Sequence, residues 1–268
     1  MSTVTYPIMG DESFTFRATG MSCVVPDAAS STDHGRKGHE IFHGVDFSIG
    51  GGEIVDLVGP SGSGKSSLLT AFARLNPHAS GTLMLEGRDS GEFTPQQWRR
   101  AVAYLPQKPI LPGDTVADAI RMPWTLAVRG DAERTRRPAR FFRTNERRAR
   151  ELLPDSRIRE TLDAMGCADI NLSRPPHDLS GGQAARVSLA RTLLTEPTVL
   201  LADEVDAGLD DENAEKVADI MAQAASGGMA IVRIRHRPPD GREHRIATLA
   251  DGRLTMRIVG DDSVKETV

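Results

Sequence analysis

The sequence predicts an α/β fold in which helices cover both faces of a mainly parallel sheet. Short apolar stretches such as 54–58 ("IVDLV") and 198–202 ("TVLLA") are typical of buried strands. Between them lie longer stretches whose apolar residues recur at helical spacing. Strands that alternate with helices in this way form a parallel sheet covered on both faces. A glycine-rich loop that follows strand 54–58 and leads into a helix supports the same fold class.

The composition indicates a soluble globular protein. The 268 residues are 39% hydrophobic and 26% charged, which is ordinary for this class. The formal net charge of −4 argues against a dedicated nucleic-acid binder, so we expect no nucleic-acid partner. We find neither a secretion signal nor an apolar run near the roughly 20 residues that span a bilayer. Cys23 and Cys167 lack C-x-x-C spacing, so we expect a cytoplasmic chain without disulfides.

The elements of the N-terminal part follow from their apolar patterns. Strand-like patterns at 13–25 and 41–49 flank a polar stretch, 26–40, that we predict to be a loop. A helix is predicted at 66–75, because apolar residues recur there at helical spacing up to Asn76-Pro77. Further strands are predicted at 54–59, 81–87 and 100–107.

The character of the chain changes between residues 108 and 178, where proline, arginine and helical periodicity dominate. Within this part, segment 129–150 carries nine arginines against three acidic residues. Such charge runs usually form a solvated face. After residue 178, apolar patterns predict helices at 183–194 and 212–226, strands at 198–204 and 229–236, and a strand, turn and strand over 245–254.

A zinc-protease pattern, H-E-x-x-H, occurs at 39–43. That chemistry needs both histidines one turn apart on a helix and a third ligand elsewhere. Gly44 follows at once, Phe42 and Val45 suit a strand better than a helix, and no companion metal motif follows. We therefore interpret the pattern as a chance match in an ordinary turn and strand edge.

A phosphate-binding pattern, G-x-x-x-x-G-K-S, begins at Gly59 and has the required strand before it and helix after it. Glycines let successive N–H groups face one anion, and the helix adds its positive end. Lys65 would neutralise the β- and γ-phosphates, and the Ser66 hydroxyl would bind Mg²⁺. The alternative is a glycine-rich structural turn. The predicted phosphate contacts are Gly59, Pro60, Ser61, Gly62, Ser63, Gly64, Lys65, Ser66 and Ser67.

A second anion site is predicted at Leu179-Ser180-Gly181-Gly182-Gln183, where a serine and two glycines open a helix. This stretch resembles the signature of ATP-binding-cassette (ABC) ATPases. In that family the signature meets the γ-phosphate held by the phosphate loop of another subunit. The resemblance implies that Ser180, Gly181, Gly182 and Gln183 contact ATP.

Four further elements resemble the family in order and spacing. Asp203 and Glu204 resemble the Walker B pair, Gln107 the Q-loop glutamine, Asp210 the end of the D-loop, and His236 the switch histidine. The resemblance implies catalytic roles for Glu204, His236 and Gln107, Mg²⁺ ligation by Ser66, Gln107 and Asp203, and an ATP contact for Asp210. Taken singly, the glutamine could be a solvated loop residue, the histidine structural, and the acidic pair a helix cap.

The resemblance covers roughly Phe14 to Leu254 and implies a P-loop NTPase fold of the ABC type over 11–260, with short tails at 1–10 and 261–268. It implies a mainly parallel core sheet with an antiparallel β subdomain, together about 11–107 and 179–260, and a helical subdomain at about 108–178. Segment 106–124 resembles the start of that subdomain in compact bacterial members, including an iron-export type.

The resemblance also implies partners. We expect a head-to-tail homodimer around two ATP–Mg²⁺, peripheral on the inner face of the cell membrane and driving a separate integral-membrane permease. The arginine-rich segment could then contact permease loops or anionic lipid. A soluble ABC-type ATPase acting on ribosomes or DNA is the alternative, and a nucleotide sensor without hydrolysis is a third.

Some positions depart from the family pattern. No aromatic residue precedes the phosphate loop at the place where the family stacks adenine, so adenine could rest on Val25, Pro26 or a residue of the long loop. Ser67 replaces the usual threonine, Ala185 a glutamine, and Val205-Asp206 the common Pro-Thr after the catalytic glutamate. These changes leave every catalytic group in place.

Overall fold

The computed structural model describes residues 14–26, 38–126, 141–235 and 237–260, with the backbone alone for 141–145. The helices in these ranges are α1 (Lys65–Phe72), α2 (Pro95–Ala101), α3 (Val116–Thr125), α4 (Phe141–Leu152), α5 (Asp155–Ala164), α6 (Gly181–Leu193) and α7 (Asp211–Ser226). The strands are β1 (Phe16–Pro26), β2 (Gly38–Ile49), β3 (Ile54–Val58), β4 (Ala79–Leu85), β5 (Arg88–Asp89), β6 (Val102–Leu105), β7 (Val199–Asp203), β8 (Ala230–Ile234), β9 (Arg245–Ala250) and β10 (Arg253–Ile258).

The central sheet has the order β10-β9-β3-β8-β7-β6, and its strands are parallel except for β10, which pairs antiparallel with β9. Alternate side chains of β7 enter two different cores. Val199 and Leu201 pack with the residues of α1, whereas Leu200 and Ala202 pack with those of α6 and α7. This two-sided burial explains the continuous apolar run of the strand and confirms the predicted mainly parallel α/β fold.

A second, antiparallel sheet of order β2-β1-β4-β5 covers the α1 side of the central sheet. The layer between the two sheets is aromatic: the ring centroids of Phe16 and Phe72 lie 5.2 Å apart, and those of Phe16 and Trp98 lie 6.2 Å apart. Trp98 of α2 is fully buried, and its Nε1 donates to the carbonyl of Phe72, 2.9 Å away. Truncating a buried side chain of this size to alanine costs about 3–5 kcal/mol.

Several predicted boundaries were wrong. Strand β1 begins at Phe16 rather than at residue 13, and β10 ends at Ile258 rather than at residue 254. Strand β2 begins at Gly38 rather than Ile41, because its polar first residues pair with the far end of β1, with His39 opposite Val25. The rest of the predicted loop, 27–37, lies outside the described residues. Helix α1 ends at Phe72, three residues early, and Arg74 adopts a left-handed backbone with φ 55°.

Helices α3, α4 and α5 lie in the part of the chain predicted to be helical. Arg121 of α3 is buried, its Nε donates to the carbonyl of Leu153 at 2.9 Å, and its guanidinium pairs with Asp155. Residues 129–140 of the arginine-rich segment lie outside the described residues, and α4 contains the rest of it. Across the ranges described, we find no helix with the length and apolar character needed to cross a bilayer.

Candidate nucleotide-binding site

The predicted site residues follow strands that end at one edge of the central sheet. Strand β3 leads into the phosphate loop, β7 ends in Asp203, and β6 is followed by Gln107. In the sheet β3 lies next to β8, β8 next to β7 and β7 next to β6, all parallel. Parallel strands place their carboxyl ends together, which is where α/β folds bind ligands. The fold therefore gathers these three groups at a single edge.

The phosphate loop depends on two glycines for its path. Gly59 and Gly64 have φ angles of 146° and 95°. A Cβ on Gly59 would lie 2.1 Å from the carbonyl oxygen of Leu249, and one on Gly64 would lie 2.4 Å from Cγ2 of Ile41. Both the backbone conformation and the space therefore require glycine. Helix α1 starts directly after this loop, with no side-chain cap from any described residue, so its first N–H groups remain available to an anion.

Two side chains of the loop fit an anionic ligand. Lys65 is 7% exposed, and its Nζ donates to the carbonyls of Gly59 and Pro60, each at 2.9 Å. The Oγ of Ser63 is buried and has no hydrogen-bond partner among the described residues. A buried hydroxyl in this condition usually marks a ligand or water position. A phosphate would satisfy the hydroxyl and the ammonium together.

At the end of β7, two acidic side chains each have a polar partner from the β6 segment. The Oδ2 of Asp203 accepts a hydrogen bond from the Tyr104 hydroxyl at 2.9 Å. The Oε2 of Glu204 accepts one from Nε2 of Gln107 at 2.6 Å. Burial and the hydrogen bond to Asp203 raise the pKa of Tyr104, which therefore stays a hydrogen-bond donor at neutral pH. Glu204 has a left-handed backbone with φ 51°, and its N–H donates to the carbonyl oxygen of Ile234 at 3.1 Å.

The signature residues open helix α6. The Oγ of Ser180 accepts from the backbone N–H of Gln183 at 3.2 Å, and the side chain of Gln183 accepts from the Ser180 N–H at 3.1 Å. This reciprocal capping box fixes the start of the helix. Ser180 and Gly181 are exposed, whereas a Cβ on Gly182 would lie 3.0 Å from Leu209. The signature thus presents Ser180 and Gly181 to solvent and packs Gly182 against Leu209, which lies in the segment 206–210 that resembles the D-loop.

Asp210, at the end of the D-loop, caps helix α7. Its Oδ1 accepts from the N–H of Asn213 and its Oδ2 from Nδ2 of the same residue, both at 2.8 Å. The hydrogen bond from the Asn213 backbone lowers the pKa of this carboxyl. Arg186 of α6 donates to the other side of the Asn213 amide, at Oδ1. These contacts join the D-loop to the signature helix within one chain.

The comparison with family models agrees with this geometry. The model described as ABC transporter matches residues 42–207, more than half of the chain. The chain belongs to the ABC transporter family.

Two relatives of this ABC ATPase are named as ATP-binding proteins. The chain is 37% identical over 182 residues to the probable iron export ATP-binding protein FetA of Escherichia coli (strain K12), covering 68% of this chain and 71% of that protein. It is 31% identical over 225 residues to the lipoprotein-releasing system ATP-binding protein LolD of Aquifex aeolicus (strain VF5), covering 83% and 92%. The ABC family hydrolyses ATP to power transport, so the predictions of an ABC transporter subunit and of ATPase activity are confirmed.

The ABC fold is confirmed by solved structures. An ATP-binding subunit of an ABC transporter superposes with a TM-score of 0.70, covering 92% of this chain and 91% of that one, at 21% sequence identity. At 21% sequence identity, this structural similarity shows only that the two chains share a fold.

The donor atoms of the ABC ATPase site also fit Mg²⁺. The hydroxyl of Ser66, the carboxylate of Asp203 and the amide of Gln107 offer oxygen ligands, which Mg²⁺ prefers. In the described part of the chain, no group of three or more His, Cys, Asp or Glu is arranged to hold a metal. Both histidines of the H-E-x-x-H pattern lie on strand β2, so this stretch does not form the helix that the zinc motif requires.

The predicted switch histidine and the predicted adenine contacts of the ABC ATPase lie in other parts of the chain. His236 lies outside the described residues. Val25 and Pro26 lie on the exposed end of β1, opposite His39 and Gly38 of β2. These positions keep Val25 and Pro26 available as adenine contacts.

Sequence reasoning missed a buried ionic cluster behind the acidic residues. Arg233 of β8 is 2% exposed, and its Nε donates to Oδ1 of Asp56 of β3 at 2.5 Å. Its Nη2 and Nη1 donate to Asp240 at 2.7 and 2.9 Å. Arg235 then connects this group to Asp206, with Nε donating to Oδ2 at 3.0 Å. The available signal was the presence of charged residues in the middle of the apolar strands "IVDLV" and "AIVRI", since charges are buried only when paired.

The pKa values of the cluster follow from burial and pairing. Burial would raise the pKa of Asp240, but the hydrogen bond and charge of Arg233 outweigh it and hold the pKa at about 2. Burial raises the pKa of Asp56 above its ordinary value, against the lowering effect of Arg233. Removing one partner from a buried pair of this kind costs about 3–5 kcal/mol of folding free energy, because it leaves a buried charge uncompensated.

Proposed function

We propose that Glu204 is the carboxylate that polarises the attacking water during ATP hydrolysis. The observation that carries this assignment is its position at the sheet edge where β3 delivers the phosphate loop, with Gln107 Nε2 bound to its Oε2 at 2.6 Å. A carboxylate held beside the γ-phosphate can accept a proton from water as the new bond forms. Gln107 orients that carboxylate and would help to hold Mg²⁺, and His236 would stabilise charge on the γ-phosphate.

ATP would be held by the phosphate loop of one subunit. Lys65 exchanges its contacts with the Gly59 and Pro60 carbonyls for the β- and γ-phosphates, and Ser63 gains the partner that it lacks among the described residues. Mg²⁺, held by Ser66, Asp203 and Gln107, would supply positive charge against the β- and γ-phosphate oxygens. The remaining phosphate contacts would be backbone N–H groups of the loop from residue 61 to 67. The N–H of Ser63 is an exception, because it donates to the carbonyl of Pro60 at 3.2 Å.

The signature residues would complete the site of a second copy of the chain, giving a head-to-tail homodimer with two ATP. Support comes from the exposure of Ser180 and Gly181 at the start of α6, where a helix terminus and a hydroxyl are offered to an anion outside the chain. Asp210 and Gln183 have side chains that are hydrogen-bonded within the chain, and they shape this surface by holding the starts of α7 and α6.

A membrane permease in a separate chain is the partner we propose, with the ATPase lying against the inner face of the membrane. The relatives FetA and LolD are named as ATP-binding proteins of an export and a releasing system. A cavity of about 340 Å³ offers the docking place. It is lined by Leu75, Gln96, Arg99, Tyr104, Pro123 and Leu126. Its apolar walls and arginines suit an amphipathic cytoplasmic segment that carries an acidic residue.

The test of the hydrolytic assignment is the substitution Glu204→Gln. This variant should bind ATP with unchanged affinity, because the amide keeps the shape of the side chain and the phosphate loop is untouched. Its turnover should fall at least about 100-fold, the usual scale for a lost general base. Nucleotide binding by a fluorescent ATP analogue and phosphate release measure the two effects separately. Turnover near that of the wild type would contradict the assignment.

A further inference from the structure

Glu204 occupies a backbone conformation that its own side chain does not favour. A glutamate with φ 51° is strained, and such strain of about 1–3 kcal/mol persists only where neighbouring contacts determine the conformation. The residue begins a loop, 204–210, that runs from β7 to α7. The contacts that hold this loop therefore decide where the carboxylate lies.

Two contacts tie this loop to the end of strand β8. The N–H of Glu204 donates to the carbonyl of Ile234 at 3.1 Å. Two residues later, the Oδ2 of Asp206 accepts from Nε of Arg235 at 3.0 Å. Ile234 and Arg235 are neighbours in the chain, so one strand end holds the loop at Glu204 and again at Asp206. Both side chains of the ion pair are 9% exposed, and water competes little with the contact.

Arg235 is itself fixed by the cluster behind it. Its Nη1 lies 2.7 Å from Oδ2 of Asp240, an ion-pair contact rather than a hydrogen bond. Asp240 is held by Arg233, which also binds Asp56 on strand β3. Strand β3 continues into the phosphate loop. A continuous chain of buried charges thus links the strand that leads to the phosphate loop with the loop that carries Glu204.

We propose that Asp206 and Arg235 are positioning residues for hydrolysis, which hold Glu204 at its working place beside the γ-phosphate. The inference rests on the proposed role of Glu204 and adds to it. A valine and aspartate stand here in place of the Pro-Thr common in the family, and the aspartate supplies the acidic partner of the ion pair. Because neither side chain lies in the phosphate loop, we expect the pair to affect the chemical step far more than ATP binding.

The test compares Asp206→Asn, Arg235→Gln and the double variant. Asn keeps the shape of Asp206 but removes its charge, which weakens the tether and lets Glu204 move. A displacement of about 1 Å at a reacting group lowers kcat by up to about 100-fold. Each single variant should therefore lose about 10- to 100-fold in kcat, with the KM for ATP and the binding of a fluorescent analogue changed less than about threefold. The double variant, which balances the buried charge again, should lose far less than the product of the two single losses.

Glu53→Gln is the matched control. Glu53 pairs with Arg245, with its Oε2 2.6 Å from Nη2. It directly precedes β3, at the end of the strand away from the phosphate loop. This variant should lower Tm without lowering kcat. If the Asp206 and Arg235 variants fold and keep kcat, the positioning role is wrong. The role would also be wrong if the Asp206 and Arg235 variants lost kcat, ATP binding and Tm together and Glu53→Gln showed the same losses.

Glu204→Gln, measured beside them, separates the two hypotheses. Near-normal turnover in Glu204→Gln refutes the base assignment. Loss of turnover in Glu204→Gln, with normal kcat in the folded double and single variants, refutes the positioning pair alone. If the single variants do not fold, the double variant decides by the same comparison of kcat with ATP affinity.

Discussion

The hydroxyl of Tyr104 orients the carboxylate of Asp203, which we propose as a ligand of Mg²⁺. Tyr104 donates to Oδ2 of Asp203 at 2.9 Å, and Asp203 is almost fully buried at the end of β7. A ligand whose second oxygen is held by a partner binds its metal in a fixed orientation. Tyr104 also lines the cavity that we assign to the permease. A single side chain thus touches the proposed docking place and a proposed metal ligand.

Tyr104→Phe removes that hydrogen bond and keeps the ring. The Mg²⁺ concentration that gives half-maximal ATPase activity should rise about 10-fold, the lower end of the usual cost of losing a partner behind a metal ligand. Binding of a fluorescent ATP analogue without Mg²⁺ should not change. A titration of ATPase activity with Mg²⁺ makes the measurement, and an unchanged Mg²⁺ requirement would refute this role of the tyrosine.

Among the elements, the cavity is bordered by the end of α1, by α2 and β6, by α3, and by the last turn of α6. Leu75 follows α1 and is 45% exposed, and Leu126 follows α3 and is 53% exposed. Large apolar side chains that line one concave surface and face water favour a binding site. Since α1 begins at the phosphate loop, a partner bound in this cavity would contact the end of the helix whose first turn we expect to bind ATP.

Leu75→Glu should weaken permease binding without harming the ATPase itself. The new charge would lie in an apolar wall that the partner must cover, and burying it is costly. Co-purification of the permease from detergent-solubilised membranes should fall, while ATPase activity of the purified variant stays near that of the wild type. The control is Ile258→Glu on β10, where the isoleucine is 58% exposed and does not line the cavity. Equal recovery of the permease with both variants would refute this docking place.

The strands and the helix that flank the phosphate loop and Asp203 were predictable from the sequence, because each depends on a local residue pattern. The order of β3, glycine loop and α1, and the apolar strand that ends in Asp203, follow from apolar runs and glycine spacing. The early start of β2 was not predictable, because polar residues there pair with β1 through backbone hydrogen bonds, not through an apolar pattern. The contacts of Tyr104 and Arg235 join residues 99 and 29 positions apart in sequence, so they depend on how strands assemble. The domain boundaries and the roles of the site residues stay predictions.

For the whole molecule, the arrangement of its two anion sites has a direct consequence for assembly. The phosphate loop precedes α1, on one face of the central sheet, whereas the signature opens α6, which packs on the other face. Each chain should therefore supply half of two composite sites in a head-to-tail homodimer.

Mixing two inactive variants tests this arrangement. Lys65→Ala removes the ammonium of the phosphate loop, and Ser180→Arg blocks the exposed signature. Neither variant alone should hydrolyse ATP, but a mixed dimer has one composite site with Lys65 and Ser180 both intact. Phosphate release should thus appear on mixing. If the mixture stays inactive while both variants remain folded and exchange subunits with a tagged wild-type chain, the head-to-tail arrangement is wrong.

The burial of Trp98 gives the molecule an optical reporter of its own. The chain has only two tryptophans. The indole of Trp98 is fully buried, and it donates a hydrogen bond to the carbonyl of Phe72, the last residue of α1. A dry indole emits at shorter wavelength than a wet one, and its intensity responds to small shifts of the groups around it. Intrinsic fluorescence can therefore follow both the melting of the inter-sheet layer and any movement of α1 as nucleotide arrives, without a label.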